Sequence, residues 1–119
     1  GLFMVAQAGN DRFTGGTGAD TMFGNDGNDT LDGGSAGDDV LLGGAGFDRF
    51  IFGNGAGTDR INDWENGIDI IELSITGVVE FADLSITTTG STVIQAGSES
   101  IILTGYSGPL DSSDFDFVV

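Results

Sequence analysis

The chain repeats every nine residues. Aligned on glycine-x-aspartate triplets, Gly15-Gly16-Thr17-Gly18-Ala19-Asp20-Thr21-Met22-Phe23 is followed by Gly24-Asn25-Asp26-Gly27-Asn28-Asp29-Thr30-Leu31-Asp32. Gly33 to Leu42 is one residue longer, with Asp39 in the aspartate column, and Gly43-Gly44-Ala45-Gly46-Phe47-Asp48-Arg49-Phe50-Ile51 restores the period. A degenerate unit precedes these, in which Gly9, Asn10, Asp11, Arg12, Phe13 and Thr14 fit, and a last unit, Gly53 to Ile61, carries Gly57 and Asp59. Two residues after each aspartate stands a large apolar residue: Phe13, Met22, Leu31, Leu41, Phe50 and Ile61. A unit this short cannot bury its own apolar residue, so the units must stack.

The glycines of G-G-x-G-x-D allow positive φ and close backbone approach, which leaves loop carbonyls and one carboxylate free to converge. The following x-U-x is a short strand whose middle residue points inward by the pleat. Each unit makes half a coil, and two make a turn of about 18 residues that buries the apolar column between two parallel sheets. Loops then stack with every second loop: Asp11, Asp29 and Asp48 line one edge, and Asp20, Asp39 and Asp59 the other. Carboxylates stacked at the strand spacing of ~4.8 Å repel one another and need a cation between them to stay ionised. Oxygen-only ligands on flexible loops suit calcium; magnesium keeps its waters and demands a tighter octahedron.

These residues resemble the RTX (hemolysin-type) calcium-binding repeats of secreted bacterial toxins, proteases, lipases and epimerases. The resemblance implies an all-β fold, a calcium-loaded parallel β-roll, in which each ion sits between one loop and the next loop on the same edge. Carried over to this sequence, the aspartate pairs are Asp11/Asp29, Asp20/Asp39, Asp29/Asp48 and Asp39/Asp59, for up to four calcium ions. The glycines that would contribute loop ligands are Gly15, Gly16, Gly18, Gly24, Gly27, Gly33, Gly43, Gly44 and Gly46. Three departures from the pattern stand out. Ala6-Gln7-Ala8 replaces the first glycines, Asp38 competes with Asp39 for the ligand role, and Asn54 to Ala56 distorts the last loop.

Composition narrows the alternatives. Nineteen acidic residues face three Lys or Arg, a formal charge of −16, which excludes nucleic acid and anionic membrane surfaces as partners. With no histidine and no cysteine, the usual zinc sites, Ser-His-Asp triads, thiol nucleophiles and disulfides are absent. No apolar run reaches the roughly 18 to 20 residues of a membrane span. Gly53-Asn54-Gly55-Ala56-Gly57 lacks the lysine of a phosphate-binding loop. The abundant paired carboxylates invite a glycosidase reading, but their regular spacing and glycine neighbours favour metal ligation.

Beyond Ile61 the pattern changes. Asp59-Arg60-Ile61-Asn62-Asp63-Trp64-Glu65-Asn66-Gly67-Ile68-Asp69-Ile70-Ile71-Glu72-Leu73-Ser74 is similar to the segment that closes RTX rolls in secreted serralysin-type metalloproteases. Ile61, Trp64, Ile68, Ile70 and Leu73 are expected to cover the open coil end. Two readings stand for Asp63 and Asp69: a peripheral calcium ligand, or surface acids flanking a turn. Alternation over 84–87, 92–95 and 100–103 indicates antiparallel strands or further coil turns. The close, Asp114-Phe115-Asp116-Phe117-Val118-Val119, resembles a type I secretion signal, an acid before a short apolar terminus.

The expected organisation is a β-roll over 1–61, a capping segment over 62–81 and a C-terminal β segment with the secretion signal over 82–119. The expected function is non-enzymatic: a secreted, extracellular module that folds on calcium after export by a type I apparatus, at the C-terminus of a larger protein. The alternative is a calcium-dependent module for a polysaccharide or receptor, for which Phe23, Phe47 or Tyr106 would have to be exposed. No nucleophile and base pair is identifiable.

Overall fold

The computed structural model describes residues 1–55 and 57–118. Its strands are short because each glycine loop interrupts the chain after a few residues. Among the described residues they are β1 (Phe3–Val5), β2 (Arg12–Gly16), β3 (Thr21–Phe23), β4 (Thr30–Gly34), β5 (Val40–Leu42), β6 (Arg49–Gly53), β7 (Gly57–Ile61), β8 (Ile70–Ser74), β9 (Ser85–Thr88), β10 (Thr92–Ala96), β11 (Glu99–Leu103) and β12 (Phe115–Phe117). Single turns of 3-10 helix cover Phe81–Asp83 and Ser112–Asp114.

Consecutive strands of the repeats alternate between two sheets, ordered β1-β3-β5-β7-β11-β10-β9 and β12-β8-β6-β4-β2. This is the expected all-β parallel roll. Its register stacks the apolar column, with Met4, Met22, Leu41 and Ile61 aligned in one sheet. Phe13, Leu31, Phe50 and Ile71 align in the other. From Met22 to Ile71 these side chains are wholly buried, while Met4 and Phe13 pack partly buried against the same core. Each full burial is worth about 1.5–3 kcal/mol relative to exposure, so the column supplies most of the driving force the glycine-rich loops cannot.

The roll continues past the repeats. Asp69 joins the aspartate column, so the inward position two residues later falls to Ile71, and β8 pairs in parallel with β6. This corrects the expected capping set: Ile61, Trp64 and Leu73 are buried, but Ile68 is 38% exposed and Ile70 half-buried. Trp64 covers Phe50, with ring centroids 6.5 Å apart.

The C-terminal alternation resolves into both expected arrangements at once. β9, β10 and β11 form an antiparallel meander. β11 also lies parallel to β7, setting Leu103 beside Ile61, and β12 lies parallel to β8, setting Phe115 beside Ile71. On the outer face Arg49 bridges Glu72 at 3.0 Å and Asp116 at 2.7 Å, tying β6, β8 and β12 together. Ala56, one of the residues expected to distort the last loop, and Val119, the last of the expected secretion signal, lie outside the described residues. Among the described residues no helix is long and apolar enough to cross a membrane.

Candidate metal centre

The loops stack in two ladders along opposite edges of the roll. On the first, the Asp11 N–H donates to Asp29 Oδ1 at 2.8 Å, the Asp29 N–H to Asp48 Oδ1 at 2.9 Å, and the Asp48 N–H to Asp69 Oδ1 at 3.1 Å. On the second, the Asp20 N–H donates to Asp39 Oδ1 at 2.8 Å and the Asp39 N–H to Asp59 Oδ1 at 2.7 Å. The Leu2 N–H caps this ladder on Asp20 Oδ1 at 2.7 Å. All four pairs carried over from the repeat pattern are brought together.

One oxygen each of Asp20, Asp29, Asp39, Asp48 and Asp59 is thereby fixed to the backbone of the neighbouring loop. The Oδ2 atoms of Asp11, Asp20, Asp29 and Asp48 are buried and have no hydrogen-bond partner among the described residues. A buried carboxylate oxygen without a partner is costly, which marks these as positions meant for a further partner.

The first glycine of each loop makes room for that oxygen. A Cβ built on Gly24 would stand 2.6 Å from Asp29 Oδ2 and 2.7 Å from the Gly43 carbonyl. At Gly15 the added atom would strike the Asp20 carboxylate and the Gly33 carbonyl, at Gly33 the Asp39 carboxylate, and at Gly43 the Asp48 carboxylate. Carboxylate and carbonyl oxygens therefore converge where a side chain would have stood. The later glycines, among them Gly16, Gly18, Gly44 and Gly46, set the turn itself. Gly27, at φ 115, is one of these, and Asn25, at φ 65, fills a glycine position in the left-handed region that asparagine tolerates.

The departures from the pattern also have a place. Asn25 donates from Nδ2 to the Ala6 carbonyl at 2.5 Å, so this irregular first loop uses that oxygen within the chain. Asp39 takes the column and Asp38 turns outward, accepting the Thr58 N–H at 2.9 Å. Asn54 is bracketed to Thr76, accepting its N–H at 3.0 Å. Asp63 accepts the Gly43 and Gly44 N–H groups at 2.9 and 2.6 Å, a clamp on the loop backbone that the sequence reading did not foresee.

Asp69 is buried, which overturns its reading as a surface acid. Its Oδ1 continues the first ladder, and its Oδ2 accepts the Glu65 N–H at 2.9 Å. Carboxylate oxygens of Asp48, Glu65 and Asp69 lie within 4.8 Å of one another. Glu65 was missed because it stands in no repeat column; its only signal is its position four residues before Asp69 in a turn.

The electrostatics follow from burial. Burial pushes the Asp48 carboxyl up to about 7, the Asp29 N–H pulling it back and the charges of Asp69, Asp29 and Asp63 adding to the rise. Burial likewise lifts Asp39 and Asp69 to about 6, and raises Asp29. Glu99 is pushed up to about 9, through burial first and then the adjoining Asp59 carboxyl. In the unfolded chain these groups ionise near 3.8, or 4.5 for glutamate. A carboxyl whose pKa is raised by folding opposes folding increasingly as pH climbs above its unfolded value, and fully above its folded one. The metal-free chain is therefore expected to be better folded at pH 5 than at pH 8, read as a gain of β-type far-UV circular dichroism on acidification; a loss of β signal would contradict it.

Two overlapping stretches, residues 5–36 and 34–61, match the family of RTX calcium-binding nonapeptide repeats. Residues 5–61 are RTX calcium-binding nonapeptide repeats. No curated protein matches the chain significantly in sequence. Among solved structures, the extracellular lipase LipA from Serratia marcescens is similar over 93% of this chain, with 24% identity and a TM-score of 0.58. That likeness shows the fold, and the chain spans 20% of the lipase's length. The AlgE6R3 subunit of the Azotobacter vinelandii mannuronan C5-epimerase is 25% identical, at a TM-score of 0.39, over 93% of this chain and 80% of that one. Of the aromatic residues considered for ligand contact in the RTX region and its extension, Phe23 packs on Phe3 at 5.5 Å between centroids. Tyr106 donates its hydroxyl to the Pro109 carbonyl at 2.6 Å. Phe47 alone of the three is largely exposed, at 66%.

Proposed function

We propose that the chain is the calcium-dependent folding and secretion module of a larger extracellular protein. The observation that carries this reading is the row of buried Oδ2 atoms on Asp11, Asp20, Asp29 and Asp48 that have no hydrogen-bond partner among the described residues, those of Asp20, Asp29 and Asp48 each facing a glycine cradle. The donor set fits calcium: it is all oxygen, carboxylate and carbonyl, on loops without side chains to enforce a small octahedron. The pairs Asp11/Asp29, Asp20/Asp39, Asp29/Asp48 and Asp39/Asp59 would hold the ions, with Asp69 and Glu65 extending the first ladder.

A bound ion supplies positive charge and six to eight coordination positions for oxygen. The chain's own part is division of labour within the carboxylates of Asp20, Asp29 and Asp48: Oδ1 locks onto the neighbouring loop's N–H, and Oδ2 is presented as a ligand. Sites that exist only when two loops are stacked bind only the folded form, so binding stabilises the fold by mass action. At low free calcium the ladders are left with their mutual repulsion, which suits a chain that must stay unfolded to pass an exporter. The acidic and apolar end, Asp114 to Val118, supports recognition by a type I apparatus, and its Phe115 and Phe117 then become part of β12 after folding.

Calorimetric titration of the chelator-treated chain tests the reading. About four calcium ions are expected, with dissociation constants of ~10⁻⁴ to 10⁻³ M as in other extracellular modules, and magnesium should not compete at equal concentration. Absence of calcium uptake would overturn it.

A further inference from the structure

We propose that Glu99, which lies outside the nonapeptide repeats, is a divalent-cation ligand at the end of the second ladder, and that this contact fastens the C-terminal meander to the roll. The inference rests on the calcium-binding reading above.

Glu99 is the first residue of β11 and is only 4% exposed. Its Oε1 is buried with no hydrogen-bond partner among the described residues. The parallel pairing of β11 with β7 sets Glu99 beside Gly57, two residues short of Asp59. Glutamate carries one methylene more than aspartate, so from this earlier register its carboxylate still reaches Asp59. Together with Gly34, Gly37, Gly55, Gly57 and Asp59 it lines a cavity of about 10 Å³, close to the roughly 10–15 Å³ that one water requires by the same measure. The glycines again leave the space free: a Cβ on Gly55 would stand 2.8 Å from the Ser35 carbonyl, and one on Gly57 2.8 Å from the Gly37 carbonyl.

Two carboxylates, Asp59 and Glu99, thus meet in an oxygen-lined cavity, close to a third, Asp39, one step down the ladder. A proton shared between Glu99 and Asp59 is the competing arrangement, and Glu99 is pushed up to about 9 by burial and by Asp59. The shared proton uses one glutamate oxygen and leaves Oε1 orphaned. A cation satisfies both. Because β11 continues into the antiparallel pairing with β10, and β10 with β9, ligation through Glu99 would couple about twenty residues of non-repeat chain to the ion-binding ladder.

The test is calcium titration of the full chain and its Glu99→Gln variant, by calorimetry and by amide NMR. Glu99→Gln should bind one ion fewer, or bind one at least tenfold more weakly, while the amides of 92–103 cease to respond to the last ion and those of 24–48 respond as before. An isotherm identical to that of the parent chain would overturn the proposal in favour of the shared proton, which glutamine mimics. A measurement on the unmodified chain guards against a variant that fails to fold. A trace of gadolinium should broaden the amides of Ser98 and Glu99 along with those of Gly57 and Asp59, and sharp Ser98 and Glu99 signals would overturn the proposal. If the unmodified chain takes up no calcium, the broader reading falls; if it does and Glu99→Gln matches it, only the role of Glu99 falls.

Discussion

Withdrawal of calcium at neutral pH is expected to convert the far-UV circular dichroism of the chain from β to largely unordered, with cooperative recovery as calcium rises through the submillimolar to millimolar range. A net charge of −16 confined to 119 residues opposes compaction, and part of it stands in two ladders of buried carboxylates. Each site that binds only the folded form contributes about 1.4 kcal/mol at ten times its dissociation constant, so four contribute on the order of 5 to 6 kcal/mol. The whole stability of a small domain is about 5–15 kcal/mol. Losing such a share, while leaving Oδ2 atoms buried without partners, should take the fold below its threshold. Magnesium added at the same concentrations should restore little. A β spectrum that survives chelation unchanged would end the idea of a folding switch and leave a roll held by its apolar column alone.

The parts of this molecule that could be read from sequence are those the nine-residue period repeats. Phe13, Met22, Leu31, Leu41, Phe50 and Ile61 stand at one offset from aspartate, and that offset alone gives the inward column, the alternation of strands between sheets and the aspartate pairs. Where the period breaks, local pattern and three-dimensional closure separate. Ile71 displaces Ile68 and Ile70 because the column is counted from Asp69, and no glycine pattern before Asp69 marks it as a ladder aspartate. Asp63 looked like a ligand or an idle surface acid, yet it holds two loop N–H groups, a role that depends on which loop arrives beside it. Glu99 had no signal: a single acid after Gly97-Ser98 acquires meaning only when β11 pairs with a strand some forty residues earlier.

Replacing Phe50 by alanine is expected to shift the calcium dependence without changing its steepness. Phe50 is wholly buried between Leu31 and Ile71 and is covered by Trp64, so its loss should cost about 3–5 kcal/mol. It offers no ligand atom, and the same carboxylates remain to bind. If four ions bind with folding, a tenfold rise in calcium contributes about 5.5 kcal/mol, and the cost is offset by roughly a four- to eightfold higher midpoint in the dichroism titration. Asp48→Asn should behave differently. It leaves the column intact but removes a carboxylate shared by two steps of the first ladder, lowering the number of ions coupled to folding and flattening the transition. The contrast separates the two sources of stability, apolar burial and cation binding, that the repeat builds into every turn. If Phe50→Ala titrated at the parent midpoint, the column would not be what the ions stabilise, and the coupling between ladder and core would have to be abandoned.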